Sequence, residues 1–398
     1  MDLIAPASDE HLDTLSHLFA RTFSTYWDQV EFAREGYIGN SPYDWNASRI
    51  GVVEGEVATH FGVWDYRMRI GASVVRVAAI GAVATLEPHR KKGLMERTAR
   101  DCVESMSAAG YDMSLLFGIP NFYQRFGYVC AFAQIRTVLK TKDVRAADPA
   151  VSYEPVTGRA GDIVTGDLAK LSNAENERIT GTYVRPTYLT NRMPEKFTVY
   201  RFTDGYVVGG PDGESYQIAD SAGDPETIVE IARLQAAAAV CPEIEFVFVP
   251  PRSRLGEYLQ TLTHRRIVDR NAEGGPMMKI VNLRRTFEKI GPELARRLAA
   301  SPMRGYGGRL AVEGDGERVV LVLTNGRVEV MRDAGGGEAA LPDGRIAAGA
   351  DLARLVIGDG DPARVCRQSG IELSGDARDL LPVLFPDQEP STVLWDRF

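Results

Sequence analysis

After a polar start at Ser8-Asp9-Glu10, the apolar residues Leu12, Leu15, Leu18 and Phe19 recur at the interval of one helical face, which predicts an opening helix. From Arg49 the period changes. Arg49 to Val53, Glu56 to Ile70 and Val74 to Thr85 are rich in valine and aromatic residues and are broken by Glu54-Gly55 and Gly71-Ala72. That pattern predicts consecutive antiparallel strands. Glu87-Pro88 closes the third strand, and Met95, Ala99, Cys102 and Met106 return to helical spacing until Gly110. A strand from Met113 to Phe117 then leads through Gly118-Ile119-Pro120-Asn121 into a short aromatic helix start at Phe122-Tyr123. Helix, strands, helix, strand and helix in this order predict an α/β layer arrangement with mixed strand pairing.

The pattern partly repeats beyond a polar linker from Lys140 to Asp162. Strands are expected at Phe197 to Gly209 and Ser215 to Ala219, a helix at Pro225 to Ala239, a strand at Glu243 to Val249 and a helix around Leu255 to Leu262. Leu283 to Leu298 reads as a basic amphipathic helix, packed on one face and solvated on the other. Short strands at Arg309 to Val312, Arg318 to Leu323 and Arg327 to Met331 follow, with Gly-Asp turns and two further helical stretches. Three units result: residues 1–148, an α/β unit at 149–285, and an α+β unit at 286–398. Gly335-Gly336-Gly337 is expected to be a loop tip, since no strand and helix flank it as a phosphate loop requires.

A length of 398 residues agrees with several cores rather than one. The formal net charge of −8 argues against nucleic acid as a partner, because backbone phosphate binding needs clustered Lys and Arg. No stretch approaches the ~20 apolar residues of a membrane span and no leader pattern opens the chain, so a cytoplasmic protein is expected. Cys102, Cys130, Cys241 and Cys366 form no CxxC pair, and His11, His17, His60, His89 and His264 have no ligand spacing, so no metal is expected.

One segment carries candidate chemistry. The turn Arg90-Lys91-Lys92-Gly93-Leu94-Met95 follows a strand end and opens a helix. A helix start leaves backbone N–H groups unpaired and bears partial positive charge, so it accepts phosphate oxygens. By spacing alone the same turn also suits an ordinary solvated connection. The downstream Phe122-Tyr123-Gln124-Arg125-Phe126-Gly127-Tyr128 follows at an interval that a single fold would require.

Strand, basic turn, helix, strand and this aromatic stretch together resemble the GNAT acetyltransferase superfamily, with Met95 where that superfamily commonly has Gly or Ala. His89 through Met95 is similar to the Eis (enhanced intracellular survival) type of N-acetyltransferase. The resemblance spans the whole chain. It implies tandem GNAT-type domains with mixed sheets, the second degenerate and without cofactor, and a sterol-carrier-like α+β domain whose end returns to the first site. It further implies a homohexamer, acetyl-CoA as co-substrate, a small-molecule amine as acceptor, and no metal.

Carried over residue by residue, the backbone of Val83, Ala84 and Thr85 meets the pantetheine arm. Lys91, Lys92, Gly93, Leu94, Met95 and Glu96 hold the pyrophosphate, with Arg90 on the rim. Gly118, Ile119 and Asn121 line the thioester end. Tyr123 is the acid that protonates the leaving thiolate, with Tyr128 its rival, and the α-carboxylate of Phe398 is the base. Trp27 and Trp64 are candidates for an aromatic wall for the amine, with core packing as the favoured alternative for each, and Asp28 or Asp396, or else Glu35, would supply negative charge. Arg397 and Thr25 stand where aminoglycoside-acetylating members have acids, which puts a polycation pocket in doubt. An acyl-CoA sensor and a lipid-binding protein are the alternatives, and neither needs Tyr123.

Overall fold

The longest hairpin organises the first unit. In the computed structural model, which describes residues 3–23, 30–39, 41–147, 150–158, 160, 163, 166, 168–187, 196–324, 326–332, 341–393 and 396, the elements begin with β1 (Leu3–Pro6) and α1 (Leu12–Thr22). A π-helical segment (Phe32–Gly39), β2 (Arg49–Val53), β3 (Glu56–Ile70), β4 (Ser73–Thr85), α2 (Leu94–Ala108), β5 (Met113–Gly118) and β6 (Val129–Cys130) follow. Side chains of β3 alternate between two cores, as a strand's period of two dictates. Phe61 and Val63 pack with Ala99, Cys102 and Met106 of α2, whereas Trp64, Tyr66 and Met68 face the core shared with Leu15, Leu18 and Phe19 of α1. Both faces of the sheet are covered along the first half of β3, so Val57 to Trp64 are buried without a break, whereas Asp65 and Arg67 restore alternation beyond it.

The second unit contains β7 (Gln134–Lys140), β8 (Glu154–Val156), α3 (Ala169–Glu175), β9 (Thr198–Phe202), β10 (Gly205–Asp212), β11 (Ser215–Ala222), α4 (Pro225–Ala238), β12 (Glu243–Val247), α5 (Arg254–Thr261), β13 (Arg265–Asp269) and β14 (Gly275–Ile280). The single strand expected over Phe197 to Gly209 is two strands, because the chain turns at Asp204, whose φ is +59°. Sheet order is β1-β2-β3-β4-β5-β14-β6 in the first unit and β13-β7-β12-β11-β10-β9-β8 in the second. The units exchange strands: β7 leaves the first segment to pair with β12 and β13, and β14 returns to pair with β5 and β6. Sheet membership thus crosses the linear division expected at residue 148.

A third sheet, ordered β17-β16-β15-β18-β19, follows α6 (Leu283–Ala299). Its strands are β15 (Gly308–Gly314), β16 (Glu317–Thr324), β17 (Arg327–Arg332), β18 (Gly344–Ala347) and β19 (Glu372–Gly375). Phe287, Ile290, Leu294 and Leu298 on the apolar stripe of α6 bury into one continuous core with Leu310, Leu321 and the first sheet's Val75 and Val77. Glu293 on the same helix accepts the backbone N–H of Ala72 in the β3–β4 turn at 3.2 Å, fastening the third unit to the first. Gly335-Gly336-Gly337 lies outside the described residues. Among those described, no helix is long and apolar enough to cross a membrane.

Candidate active site

Strands β4 and β5 are parallel and paired only from Val77↔Met113 to Ile80↔Leu116. Beyond that point they part, although β4 continues to Thr85 and β5 to Gly118. The cause is visible on the other edge of β4. Its register with β3 shifts between His60↔Ala84 and Gly62↔Gly81, so β4 carries one extra residue there, and Ala82 has φ +45°. Such a bulge bends its strand and leaves backbone groups without ladder partners. The divergence opens a cavity of about 930 Å³ bordered by Ala82, Val83 and Thr85 on one side and Leu116, Phe117 and Ile119 on the other.

The mouth is formed by the basic turn. Gly93 takes φ +74° as the residue before α2, a conformation that disfavours any side chain, and nothing lies within 4 Å of where its Cβ would stand. A glycine supplies no capping oxygen, so the first-turn amides of α2, beginning at Leu94, keep their donors for an outside acceptor. Lys91 also adopts a left-handed φ of +60°, and Arg90 donates Nε–H to the Thr85 carbonyl at 3.1 Å. His89, Arg90, Lys91, Gly93, Leu94, Met95 and Glu96 all border the cavity. The Glu96 carboxylate, which would oppose an anion, is bound by Arg100 at 2.8 Å and faces Arg125 at 3.7 Å, and the Arg100 contact holds its pKa below the usual value. Arg125 is a cavity residue that the sequence reading named only as part of a motif.

Tyr123 opens a short 3-10 turn after β5 and is 7% exposed. Its ring meets Phe122 edge-on at 4.9 Å, and no bond to its hydroxyl occurs among the described residues. Burial pushes its pKa up, so the phenol keeps its proton throughout the neutral range. Tyr128, the rival, is fully buried outside the cavity, with its hydroxyl 2.7 Å from Ser114 Oγ. The aromatic stretch therefore divides into one tyrosine at the cavity and one in the core.

Other expected residues are placed differently. Trp64 is a core residue instead of a cavity wall: it is fully buried, and its indole N–H donates to the Tyr37 carbonyl and to Ser41 Oγ, both at 3.0 Å. Tyr37, its ring tilted at 47° and 4.4 Å away between centroids, borders the cavity in its stead, and a Cβ on Gly81 would overlap its hydroxyl. The close approach of Tyr37 to β4 requires that glycine. Asn121 has φ +58° and turns away from the cavity, with Nδ2 donating to Glu273 at 3.3 Å. Ala84 is buried on β4 opposite His60, and neither Gly118 nor Lys92 borders the cavity. Asp396 is not free to meet an amine, because Arg185 holds its carboxylate at 2.8 Å in a buried pair and Thr187 donates to it. Trp27, Asp28, Arg397 and Phe398 lie outside the described residues. Among those described, no group of three or more His, Cys, Asp or Glu side chains is placed to hold a metal.

The second unit repeats the layout without the site. There β11 and β12 form the parallel pair and α4 the connecting helix. Only Gly223 and Asp224 intervene between strand and helix, and the Asp224 carboxylate caps α4 by accepting the Thr227 N–H at 2.9 Å. An acidic cap occupies the amides that an anion would use. The corresponding space is about 30 Å³, with Val393 among the residues that line it.

Residues 4–131 match the family model described as acetyltransferase (GNAT) domain. A Streptomyces coelicolor protein named as an uncharacterized N-acetyltransferase is 32% identical over 91 residues, a stretch covering 22% of this chain and 22% of that relative. A GCN5-related N-acetyltransferase from Kribbella flavida matches over 100% of this chain and 98% of its own, with a TM-score of 0.72 at 19% identity. Eis1 from Mycobacterium abscessus matches over 100% of both chains, with a TM-score of 0.66 at 16% identity. The full-length likeness is one of fold, and it extends to all three units.

Proposed function

We propose that this protein is an N-acetyltransferase that moves the acetyl group of acetyl-CoA onto a primary amine by direct attack. The observation that carries this reading is a single cavity that joins the uncapped start of α2 to the Tyr123 phenol. Arg90, Lys91, Lys92 and the amides of Leu94, Met95 and Glu96 receive the pyrophosphate, and the backbone of Val83 to Thr85 receives the pantetheine arm. The amine nitrogen attacks the thioester carbon, the C–N bond forms and the C–S bond breaks. Sulfur takes the Tyr123 proton, and the tyrosine regains one from water.

A thiol of pKa ~8.5 is a stronger acid than a phenol of pKa ~10, so donation is useful only where the departing thiolate is desolvated too. The buried position of Tyr123 supplies that condition. The nitrogen gives its proton to a base, for which the Eis resemblance nominates the carboxylate of Phe398. The described segment before it runs beside residues 180–187, from Ser391 at Thr180 to Asp396 at Arg185. A variant with glycines appended after Phe398 is expected to lose turnover while keeping CoA affinity.

The same reading extends to the remaining units. The second is a GNAT-type domain without cofactor, the third a sterol-carrier-like domain, and the assembly a cytoplasmic homohexamer, which light scattering of the purified protein tests. The activity is tested with a panel of amines including an aminoglycoside, a polyamine and a lysine peptide, with thiol release as the readout. CoA binding with no thiol release across the panel would favour an acyl-CoA sensor instead. Replacing Arg90 and Lys91 together by alanine is expected to weaken acetyl-CoA about 10- to 100-fold, as two charge-assisted phosphate contacts are lost. The loss should shrink in 0.5 M salt, where exposed charges are screened. Equal affinity of variant and parent in titrations at low salt would contradict the assignment.

A further inference from the structure

The bend that opens the cavity has a keeper. His60 is wholly buried on β3, directly opposite the bulge, with Nδ1 2.8 Å from the Ala82 carbonyl oxygen and Nε2 2.7 Å from the Tyr43 hydroxyl. A carbonyl oxygen can only accept, so Nδ1 carries the proton, Nε2 of the neutral ring accepts, and the Tyr43 hydroxyl donates. Burial pushes the imidazole down to about 4 and the Tyr43 phenol up, which keeps both partners in these forms at neutral pH. The ring is enclosed by Phe19 at 4.9 Å and Tyr43 at 6.0 Å between centroids, so it has little room to turn. Ala82 meanwhile keeps a left-handed backbone, which a residue with a Cβ retains only when its surroundings hold it there.

Other buried polar groups join element to element. Asp112 fastens the start of α6 to β5, and Asp359 binds Arg270 and Arg354. His60 differs in that its bond goes to the backbone at the point where the cavity begins. We propose that His60 is a positioning residue for acyl transfer: through the Ala82 carbonyl it fixes the β4 bulge, so that the backbone of Ala82 and Val83 borders the thioester rather than a neighbouring strand. The proposal rests on the acetyltransferase reading above. Tyr43 is the second link: with the Ala82 carbonyl fixing the proton on Nδ1, its hydroxyl donates to Nε2 and anchors the far side of the ring.

The test compares His60→Leu, His60→Asn, His60→Gln and Tyr43→Phe in the full chain, each measured for melting temperature, CoA affinity, and kcat and KM for acetyl-CoA. An asparagine amide nitrogen stands about where Nδ1 stood, whereas a glutamine amide reaches toward Nε2. His60→Leu is expected to lower kcat about 100-fold with CoA affinity within a few-fold, because small misplacements of reacting groups cost that much. His60→Asn should recover about 10-fold of this and His60→Gln should not, while Tyr43→Phe should show a smaller loss in the same direction.

Wild-type kcat in His60→Leu would overturn the proposal, as would losses in the asparagine and glutamine variants that follow melting temperature alone. If the leucine variant does not fold, the asparagine and glutamine pair still decides. A parent protein that neither binds CoA nor releases thiol removes the acetyltransferase reading itself. An active parent indifferent to His60 removes only this proposal.

Discussion

Tyr123→Phe is expected to lower kcat about 100- to 10,000-fold, the range general acid catalysis supplies, while CoA affinity and melting temperature stay near those of the parent. The substitution removes one oxygen from a ring that is otherwise held by apolar packing against Phe122 and the surrounding core. No bond to that oxygen occurs among the described residues, so the fold loses little. Tyr128→Phe offers the contrast. It breaks the contact with Ser114 deep in the core and should cost about 1 kcal/mol of stability, with little effect on kcat beyond that. Measuring both variants by thiol release and by thermal melting separates the two tyrosines. A kcat near the parent's in Tyr123→Phe would remove the phenol from the mechanism, leaving water or a residue outside the described set as the acid.

The largest expected effect on stability comes from Arg185→Met. The Arg185 guanidinium is 1% exposed and binds Asp220 at 2.6 Å and Asp396 at 2.8 Å, both carboxylates being 4% exposed. It also donates to the Tyr206 hydroxyl at 3.0 Å. Whatever the net worth of such a cluster, removing its only cation among these three charges leaves two buried carboxylates unpaired, which typically costs about 3–5 kcal/mol. Urea denaturation of Arg185→Met should show this loss. Adding Asp220→Asn and Asp396→Asn to the same chain should return a large part of it, since the penalty lies in the stranded charge rather than in the lost contact. A single-variant loss below about 1 kcal/mol would mean that water reaches the cluster.

Much of the first unit is legible without coordinates because its signals are local. Arg49–Val53 and Glu56–Ile70 are strands over their expected spans, and β4 begins one residue before its expected start at Val74. Valine and aromatic runs broken by Glu54-Gly55 and Gly71-Ala72 leave the backbone little alternative. The basic turn is equally local: Gly93 is left-handed, opens α2, and faces open space. Arg90, Lys91 and Tyr123 border the same cavity for reasons of spacing along a strand, a turn and a helix. Asn121 and Trp64 were legible only as residue types. Whether an asparagine faces a cavity or Glu273, and whether an indole lines a wall or supports Tyr37 from behind, is decided by neighbours more than 20 residues away in sequence or by a π-helical segment that periodicity does not announce.

The bulge at Ala82 is the hardest feature to read from sequence: Gly81 precedes it, but the partner that holds it, His60, is 22 residues distant. Sequence alone determined the kinds of element, their order and the chemistry of the turn before α2, because those depend on side-chain period, turn residues and charge within a few positions. Tertiary structure decided which sheet each strand joins, exchanging β7 and β14 between units, since an apolar strand does not specify its partner across more than a hundred residues. It also decided that one parallel pair opens beside a cavity of about 930 Å³ and its counterpart beside about 30 Å³, although β4 and β11 both carry an extra residue where their parallel pairing ends; the first keeps the amides of α2 open, while Asp224 caps those of α4.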